Sequence, residues 1–136
     1  VCAVVAKSSD YRSIGVDIEK VIIDRRVSLV ENKICTAGDL DFLKEKELLG
    51  NKVLYTVIFS AKEALFKAIN PLNKEYFDFN EADIVELDKE SISLKINSDK
   101  ESLREFDDIY KIYYHLIDDE AVITYLATKL QILPGT

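Results

Sequence analysis

The sequence predicts an α+β fold in which a mainly antiparallel sheet packs on a long buried helix. Two observations predict it: strands come first, then helices, then two hairpins, and the longest apolar stretch has helical spacing. At 136 residues the chain is one domain at most, or a large piece of one, and can bury a core without disulfides. Apolar residues make up 48% and charged residues 32%, which excludes a disordered chain.

Two strands are predicted near the amino terminus. Residues 1–6 are a short apolar run, typical of a buried strand, and polar turn residues follow them. Residues 14–23 alternate in polarity, as a half-buried strand does. One face carries apolar side chains and the other a glycine and two acids: Ile14, Val16 and Ile18 against Gly15, Asp17 and Glu19. We expect the two strands to pair as a hairpin.

The segment that follows is charged but has apolar residues at helical spacing. Residues 24–49 therefore predict two short helices. Thr36 or Asp39 is expected to cap the second helix, because short polar side chains accept from the first free backbone N–H groups of a helix. The second helix is expected to end at Gly50 and Asn51.

The longest helix is predicted over residues 52–69, and Pro71 is expected to end it. Its polar side chains fall on one narrow stripe of a helical wheel: Thr56, Ser60, Glu63, Lys67 and Asn70. Lys62 lies one step outside this stripe, and almost every other side chain is apolar. Most surface helices have a broad polar side, so this helix is predicted to be buried nearly all round.

The last part of the chain predicts two hairpins. Residues 82–87 and 91–97 alternate in polarity on either side of a polar turn, and residues 111–118 and 121–130 do the same. No repeat, low-complexity stretch or linker separates these elements. The order of the elements therefore favours a single sheet with a helical layer.

The net charge, the apolar run lengths and the counts of cysteine and histidine disfavour several classes of function. A net charge of -7 argues against binding to nucleic acid, and no apolar run reaches the roughly 18–20 residues that a membrane span needs. We also expect no signal peptide, and hence a cytoplasmic protein. Cys2 and Cys35 have no CxxC spacing, so two reduced thiols are favoured over a disulfide. The single histidine, His115, excludes a His-rich metal site.

The two acids near the amino terminus suggest a cation site. Asp17 and Glu19 project from one face of the predicted strand, where each raises the pKa of the other unless a cation sits between them. Hard carboxylate oxygens of this kind suit Mg²⁺, and Gly15 would leave room for a ligand to approach the backbone. The alternative is a solvated strand edge, with Glu63 and Lys67 forming an ordinary i, i+4 ion pair on a solvated helix seam.

Two motifs carry a resemblance to a known family. GVDIE at 15–19 and FSAKEALFKA at 59–68 resemble the two signatures of the 4'-phosphopantetheinyl transferases. The second motif is most similar to the larger bacterial type that includes the enterobactin synthase component D proteins, which serve siderophore biosynthesis. The sequence around the motifs resembles the same family, so the resemblance covers most of residues 1–87. The similar segments are ICTAGDLDFL at 34–43, INPL at 69–72 and YFDFNEADI at 76–84.

The resemblance implies an activity and roles for five residues. Such enzymes move the phosphopantetheine arm of coenzyme A to a serine of an acyl, peptidyl or aryl carrier protein and release 3',5'-ADP. Asp17, Glu19 and Glu63 match the family's Mg²⁺ ligands. Lys62 and Lys67 match its motif lysines, which are expected to bind coenzyme A, with Lys67 near the phosphates. Glu63 and Lys67 are the expected catalytic residues, with Glu63 as the base for the serine; alternatively, Lys62 simply extends its amine to water.

The resemblance also implies what the chain lacks. Larger family members are pseudo-dimers of two similar halves, and residues 1–136 resemble the C-terminal half as a single domain, without the upstream His-Ser pair. The absence of methionine also leads us to expect a trimmed start. Because the family residues that bind the adenine and 3'-phosphate largely belong to the missing half, the resemblance implies poor coenzyme A binding and slow turnover, if any, by this chain alone. Two alternatives stay open: a small trimeric holo-acyl-carrier-protein synthase, or a noncatalytic fragment that binds a carrier protein. Arg25, Arg26 and Lys33 are the expected docking patch, or simply a solvated helix face.

Overall fold

The fold consists of one antiparallel sheet and a helical layer. A computed structural model describes residues 3, 5–73, 78–98, 100–106 and 108–129. Five strands form the sheet in the order β1-β5-β4-β3-β2, and every neighbouring pair is antiparallel. The strands are β1 Tyr11–Lys20, β2 Ala82–Leu87, β3 Ser91–Ile96, β4 Ile109–Ile117 and β5 Ala121–Lys129. The predicted α+β class is confirmed.

The two predicted hairpins are confirmed, whereas the predicted amino-terminal hairpin is wrong. Strand β1 pairs with β5 along its length, and Asp17 lies opposite Thr124. Of residues 1–6, the described positions 3, 5 and 6 belong to no strand, and the side chain of Val5 is 92% exposed. The other three positions, Cys2 among them, lie outside the described residues. Strand β1 lies at the edge of the sheet, and β5 is its one partner among the described strands.

The segment after β1 is helical in two parts, as predicted. The first part runs through a 3₁₀ turn at Asp24–Arg26, an α-helical turn α1 at Val27–Leu29 and a π-helical turn at Val30–Ile34. The second is helix α2, Ala37–Glu45.

Both residues named as caps of the second helix take part in one capping box. The Asp39 N–H donates to Thr36 Oγ1 at 2.9 Å, and the Thr36 N–H donates to Asp39 Oδ2 at 2.9 Å. Helix α2 ends before the predicted Gly50, because Glu47 adopts a left-handed conformation with φ of 59°.

Helix α3, Lys52–Asn73, is the long buried helix that the sequence predicts. Its apolar side chains pack against β1 and β5 and form the centre of the core. Pro71 does not end it, which corrects the prediction, and lies inside its last turn. The proline costs only one backbone hydrogen bond there, and the helix ends two residues later. None of the helices in the described ranges is long and apolar enough to span a bilayer.

Gly15 has a different role from the one the sequence suggested. A Cβ at this position would lie 2.0 Å from the carbonyl oxygen of Ala64 and 3.0 Å from the amide nitrogen of Ala68. The glycine therefore admits α3, and the expectation that it makes room for a ligand is wrong. The acidic face of β1 turns towards α3, and Ile18 on the opposite face is 53% exposed.

Candidate active site

The acids of β1 meet the charged part of α3 at the edge of the sheet. Lys67 Nζ donates a hydrogen bond of 2.7 Å to Asp17 Oδ1. The Asp17 side chain is 6% exposed and the Lys67 side chain 49%, so the pair joins a buried carboxylate to an ammonium group that water reaches. The close approach at Gly15 brings the helix within reach of Asp17, two residues further along the same strand face. Lys67 and Asp17, which the resemblance assigns to one site, are therefore in contact.

One buried oxygen of Asp17, Oδ2, lacks a donor among the described residues as their side chains stand. The group beside Asp17 that could donate when protonated is the carboxyl of Glu19. A buried carboxylate oxygen without a partner is costly, because it has lost its water without a replacement. The atom is therefore a place where a donor or a cation would be bound favourably.

Glu19 and Glu63 belong electrostatically to the same cluster. Burial, repulsion by Asp17, a side-chain hydrogen bond with Asp17 and repulsion by Glu63 together raise the pKa of Glu19 to about 7, and Lys67 partly opposes this. Burial and repulsion by Asp17 also raise the pKa of Glu63, again against the attraction of Lys67. The hydrogen bond to Asp17 raises the pKa of Lys67 above its ordinary value. We call these four residues the acidic cluster: Asp17, Glu19, Glu63 and Lys67.

The polar stripe of α3 divides into two parts. Its first part contacts the sheet and the segment after β1: the hydroxyls of Ser60 and Thr124 of β5 lie 2.8 Å apart, and Thr56 Oγ1 accepts from the N–H of Ile22, two residues beyond β1, at 3.0 Å. Both helix residues are fully buried, so the alternative of a solvated seam is wrong for them. Only the second part, which begins at Glu63, reaches the acidic cluster and water.

Lys62 lies apart from the acidic cluster. Its Nζ donates to Asp39 Oδ2 at 2.6 Å and to the carbonyl oxygens of Ile34 and Phe79 at 2.9 Å each. The side chain is 2% exposed, so the alternative that it extends to water is wrong. An ammonium group has three donors, and all three are used here. This geometry leaves none for a phosphate of coenzyme A.

Asp39 is the residue whose role the sequence did not reveal. Its capping position was visible from local spacing, but its contact with a lysine 23 residues away was not. No pattern within either segment points to the other.

The acidic cluster fits a hard divalent cation by its chemistry. Asp17, Glu19 and Glu63 supply carboxylate oxygens only, and one of these, Asp17 Oδ2, is buried and has no hydrogen-bond partner in the part of the chain that the structure describes. As the side chains stand, the described residues contain no group of three acids, cysteines or histidines already arranged to hold a metal. Lys67 holds the other oxygen of Asp17.

A separate cavity of about 690 Å³ lies at the other end of β1, near the start of β4 and the end of β5. Stacked aromatic rings line part of it, with the ring centres of Tyr113 and Tyr125 5.7 Å apart. His115 stacks on the same tyrosine, Tyr125, and accordingly behaves as an ordinary strand residue. No residue of the acidic cluster lines this cavity.

Comparison with known proteins is consistent with the motifs. A model of the 4'-phosphopantetheinyl transferase superfamily matches residues 13–126. The fold is similar to a crystal structure of a holo-ACP synthase from Plasmodium yoelii, with a TM-score of 0.55, 18% identity, and coverage of 88% of this chain and 97% of that chain. A Plasmodium yoelii acyl carrier protein synthase with ADP bound gives a TM-score of 0.56, 17% identity, and coverage of 89% and 97%. Identities this low show a common fold. No curated protein sequence matches the chain.

Proposed function

Since the chain belongs to the 4'-phosphopantetheinyl transferase superfamily, we propose that it transfers the phosphopantetheine arm of coenzyme A to a serine of a carrier protein. The observation that carries this proposal is the acidic cluster. Its residues come from both signature motifs, and the structure brings them together from segments 50 residues apart. The product other than the modified carrier protein would be 3',5'-ADP.

Lys67 would bind the phosphates of coenzyme A. The serine oxygen bonds to the phosphorus next to the pantetheine arm as the bond to the ADP phosphate breaks, so negative charge grows on the phosphate oxygens. An ammonium group that is already half exposed can turn from Asp17 to those oxygens and stabilise that charge. The same role for Lys62 is not supported, because its three donors are used inside the protein.

Glu63 would act as the base. A serine hydroxyl is a weak nucleophile at neutral pH and must lose its proton during attack. Burial and the charge of Asp17 raise the pKa of Glu63, which makes this carboxylate a better proton acceptor than an ordinary surface acid. The proton would pass to Glu63 directly or through one water.

Asp17, Glu19 and Glu63 would hold Mg²⁺. The support is the all-oxygen donor set and the partnerless Oδ2 atom of Asp17. When bound, a divalent cation supplies Lewis-acid charge neutralisation at the phosphates.

The carrier protein would dock on the helical segment that follows β1. Arg25, Arg26 and Lys33 are exposed there, and so is the apolar Leu29 between them. Carrier proteins are usually acidic and the net charge of this chain is -7, so only a local basic and apolar patch could attract one. This segment directly follows, in the chain, the strand that carries Asp17 and Glu19.

Two types of enzyme are consistent with this chemistry. In the first, residues 1–136 are the C-terminal half of a two-half enzyme of the enterobactin synthase component D type, in the cytoplasm. The second is a small holo-acyl-carrier-protein synthase that assembles its site between subunits. The fold likeness covers 97% of the holo-ACP synthase chain and 97% of the acyl carrier protein synthase chain, and it is consistent with both types, because each half of a two-half enzyme resembles a whole small chain.

The test is transfer from coenzyme A to a carrier protein with Mg²⁺, followed by the intact mass of the carrier. The chain is compared with a version extended at its amino terminus. Glu63→Gln should remove the mass shift, since the base and a metal ligand are lost together, whereas Glu45→Gln at an exposed position of α2 should leave it unchanged.

Each outcome separates the proposals. Activity that needs the extension supports the two-half type, and activity of the short chain alone supports the small type. If neither form transfers the arm although both are folded, the proposal of an enzyme would be overturned, and a noncatalytic carrier-binding protein would remain.

A further inference from the structure

We propose that the buried ion pair of Lys62 and Asp39 fixes the rotation of α3 about its axis, and that this rotation brings Glu63 and Lys67 to Asp17. Both members of the pair are then positioning residues. The inference deepens the proposed function, and its consequence for catalysis rests on that function. Its structural part can be tested without any activity.

The ion pair ties one point of α3 to several other segments. Lys62 Nζ reaches the carbonyl oxygen of Ile34 at the end of the first helical segment, and that of Phe79 in the turn before β2. The third donor goes to Asp39 in the first turn of α2. Three segments therefore hold one side chain of the helix from three directions.

Asp39 extends these ties further. Its Oδ2 also accepts from the Thr36 N–H at 2.9 Å, and its Oδ1 accepts from the Ile84 N–H of β2 at 2.8 Å. The side chain is fully buried, and both of its oxygens have partners. A carboxylate held at both oxygens cannot follow Lys62 if the helix turns.

The opposite side of α3 is held by the sheet. At Gly15 the helix already lies as close to β1 as a residue without Cβ allows. Because an α-helix has 3.6 residues per turn, neighbouring side chains point about 100° apart. Fixing Lys62 therefore fixes the direction of Glu63, and through one further turn that of Lys67.

Stability alone does not explain why this pair is ionic. Taking two charges out of water is expensive, and replacing buried ion pairs by apolar residues of similar volume is often neutral or stabilising. A hydrogen-bonded pair accepts one geometry, whereas apolar side chains accept several. The pair is thus suited to setting the orientation of the helix.

The experiment measures whether Asp17 and Lys67 still interact when the buried pair is neutral. A double-mutant cycle with Asp17→Asn and Lys67→Met gives the coupling between them in urea unfolding. The cycle is run in the wild-type background and in Lys62→Met/Asp39→Asn. We expect the coupling in the wild type and loss of most of it in the neutral background. Equal coupling in both backgrounds would overturn the proposal.

A matched control separates rotation from general loss of stability. Tyr55 is buried on the same helix, and its Oη donates to Glu31 Oε1 at 2.7 Å, away from the acidic cluster. Tyr55→Phe should lower stability and leave the coupling unchanged; loss of the coupling here too would count against the proposal. If the double variant does not fold, Lys62→Arg takes its place, because a guanidinium keeps a positive charge beside Asp39 but, being planar and longer, cannot donate in the same three directions. The coupling should fall in this variant too, and unchanged coupling would overturn the proposal.

A transfer assay then tests the catalytic part. If the wild type is active, the neutral background should lose about a hundredfold in kcat, because a shift of about 1 Å in reacting groups costs that much. KM for coenzyme A should change much less. Unchanged kcat in a variant that has lost the coupling would overturn the catalytic role, whereas an inactive wild type would count against the proposed function and not against the positioning of α3.

Discussion

Gly15→Ala should be among the most damaging single substitutions in the chain, although it adds one methyl group. The new Cβ would lie 2.0 Å from the carbonyl oxygen of Ala64, and contacts of real Cβ atoms are rarely shorter than about 3.0 Å. The obstacle is helix backbone, so the helix and the strand must separate by about 1 Å. Overpacking of this kind costs about 1–3 kcal/mol, and we expect the upper end of that range.

The assay is equilibrium unfolding in urea, with the midpoint converted to a free energy of unfolding. Gly38→Ala is the matched control, because its Cβ would lie 3.5 Å from the nearest atom, a side-chain oxygen of Asp83. Gly38 is in α2, where alanine favours the helix by up to about 1 kcal/mol, so this change should be neutral or stabilising. A cost below about 1 kcal/mol for Gly15→Ala would refute the close approach of α3 to β1.

Two further predictions concern charged groups. Lys62→Met alone should lower the free energy of unfolding by about 3–5 kcal/mol, since it leaves the buried carboxylate of Asp39 without its cation; a loss below about 1 kcal/mol in urea unfolding would contradict the buried pair. Glu19→Gln should stabilise the protein at pH 8 by on the order of 1 kcal/mol after allowance for partial exposure, and should have no such effect near pH 4. The sign follows from a folded-state pKa of about 7, raised from 4.5: ionisation of Glu19 lowers stability as the pH rises through that interval. Equal effects of Glu19→Gln on stability at both pH values would show that folding does not raise the pKa of the Glu19 carboxyl.

Much of the fold could be predicted because its elements have local periodicity. Helix α3 and the two later hairpins carry their spacing within a dozen or two residues. The partner of β1 could not be predicted in this way. No pattern within residues 11–20 identifies the strand that pairs with them. The observed partner, β5, lies about a hundred residues further along the sequence.

The candidate site, like the fold, could be predicted only in part. The family resemblance, not the stripe or the alternation, implied that Glu63, Lys67 and Asp17 belong to one site. In the structure Lys67 contacts Asp17, and the charge of Asp17 raises the pKa of Glu63. The sequence could not tell whether a lysine in an apolar helix reaches water or a buried acid, because that depends on tertiary contacts. For this reason the sequence did not predict that Lys62 is buried, or that helix α3 fills the space beside Gly15.

The pairing of the first strand with the last has a consequence for biosynthesis. During translation β1 is made about a hundred residues before β5, its neighbour in the sheet. Closing so long a loop is slow and comes after local helices and hairpins have formed. The two acids of β1 therefore remain without their final surroundings until β5 has been made. A nascent chain that is cut short before β5 would contain both signature motifs and still lack the framework that holds them together.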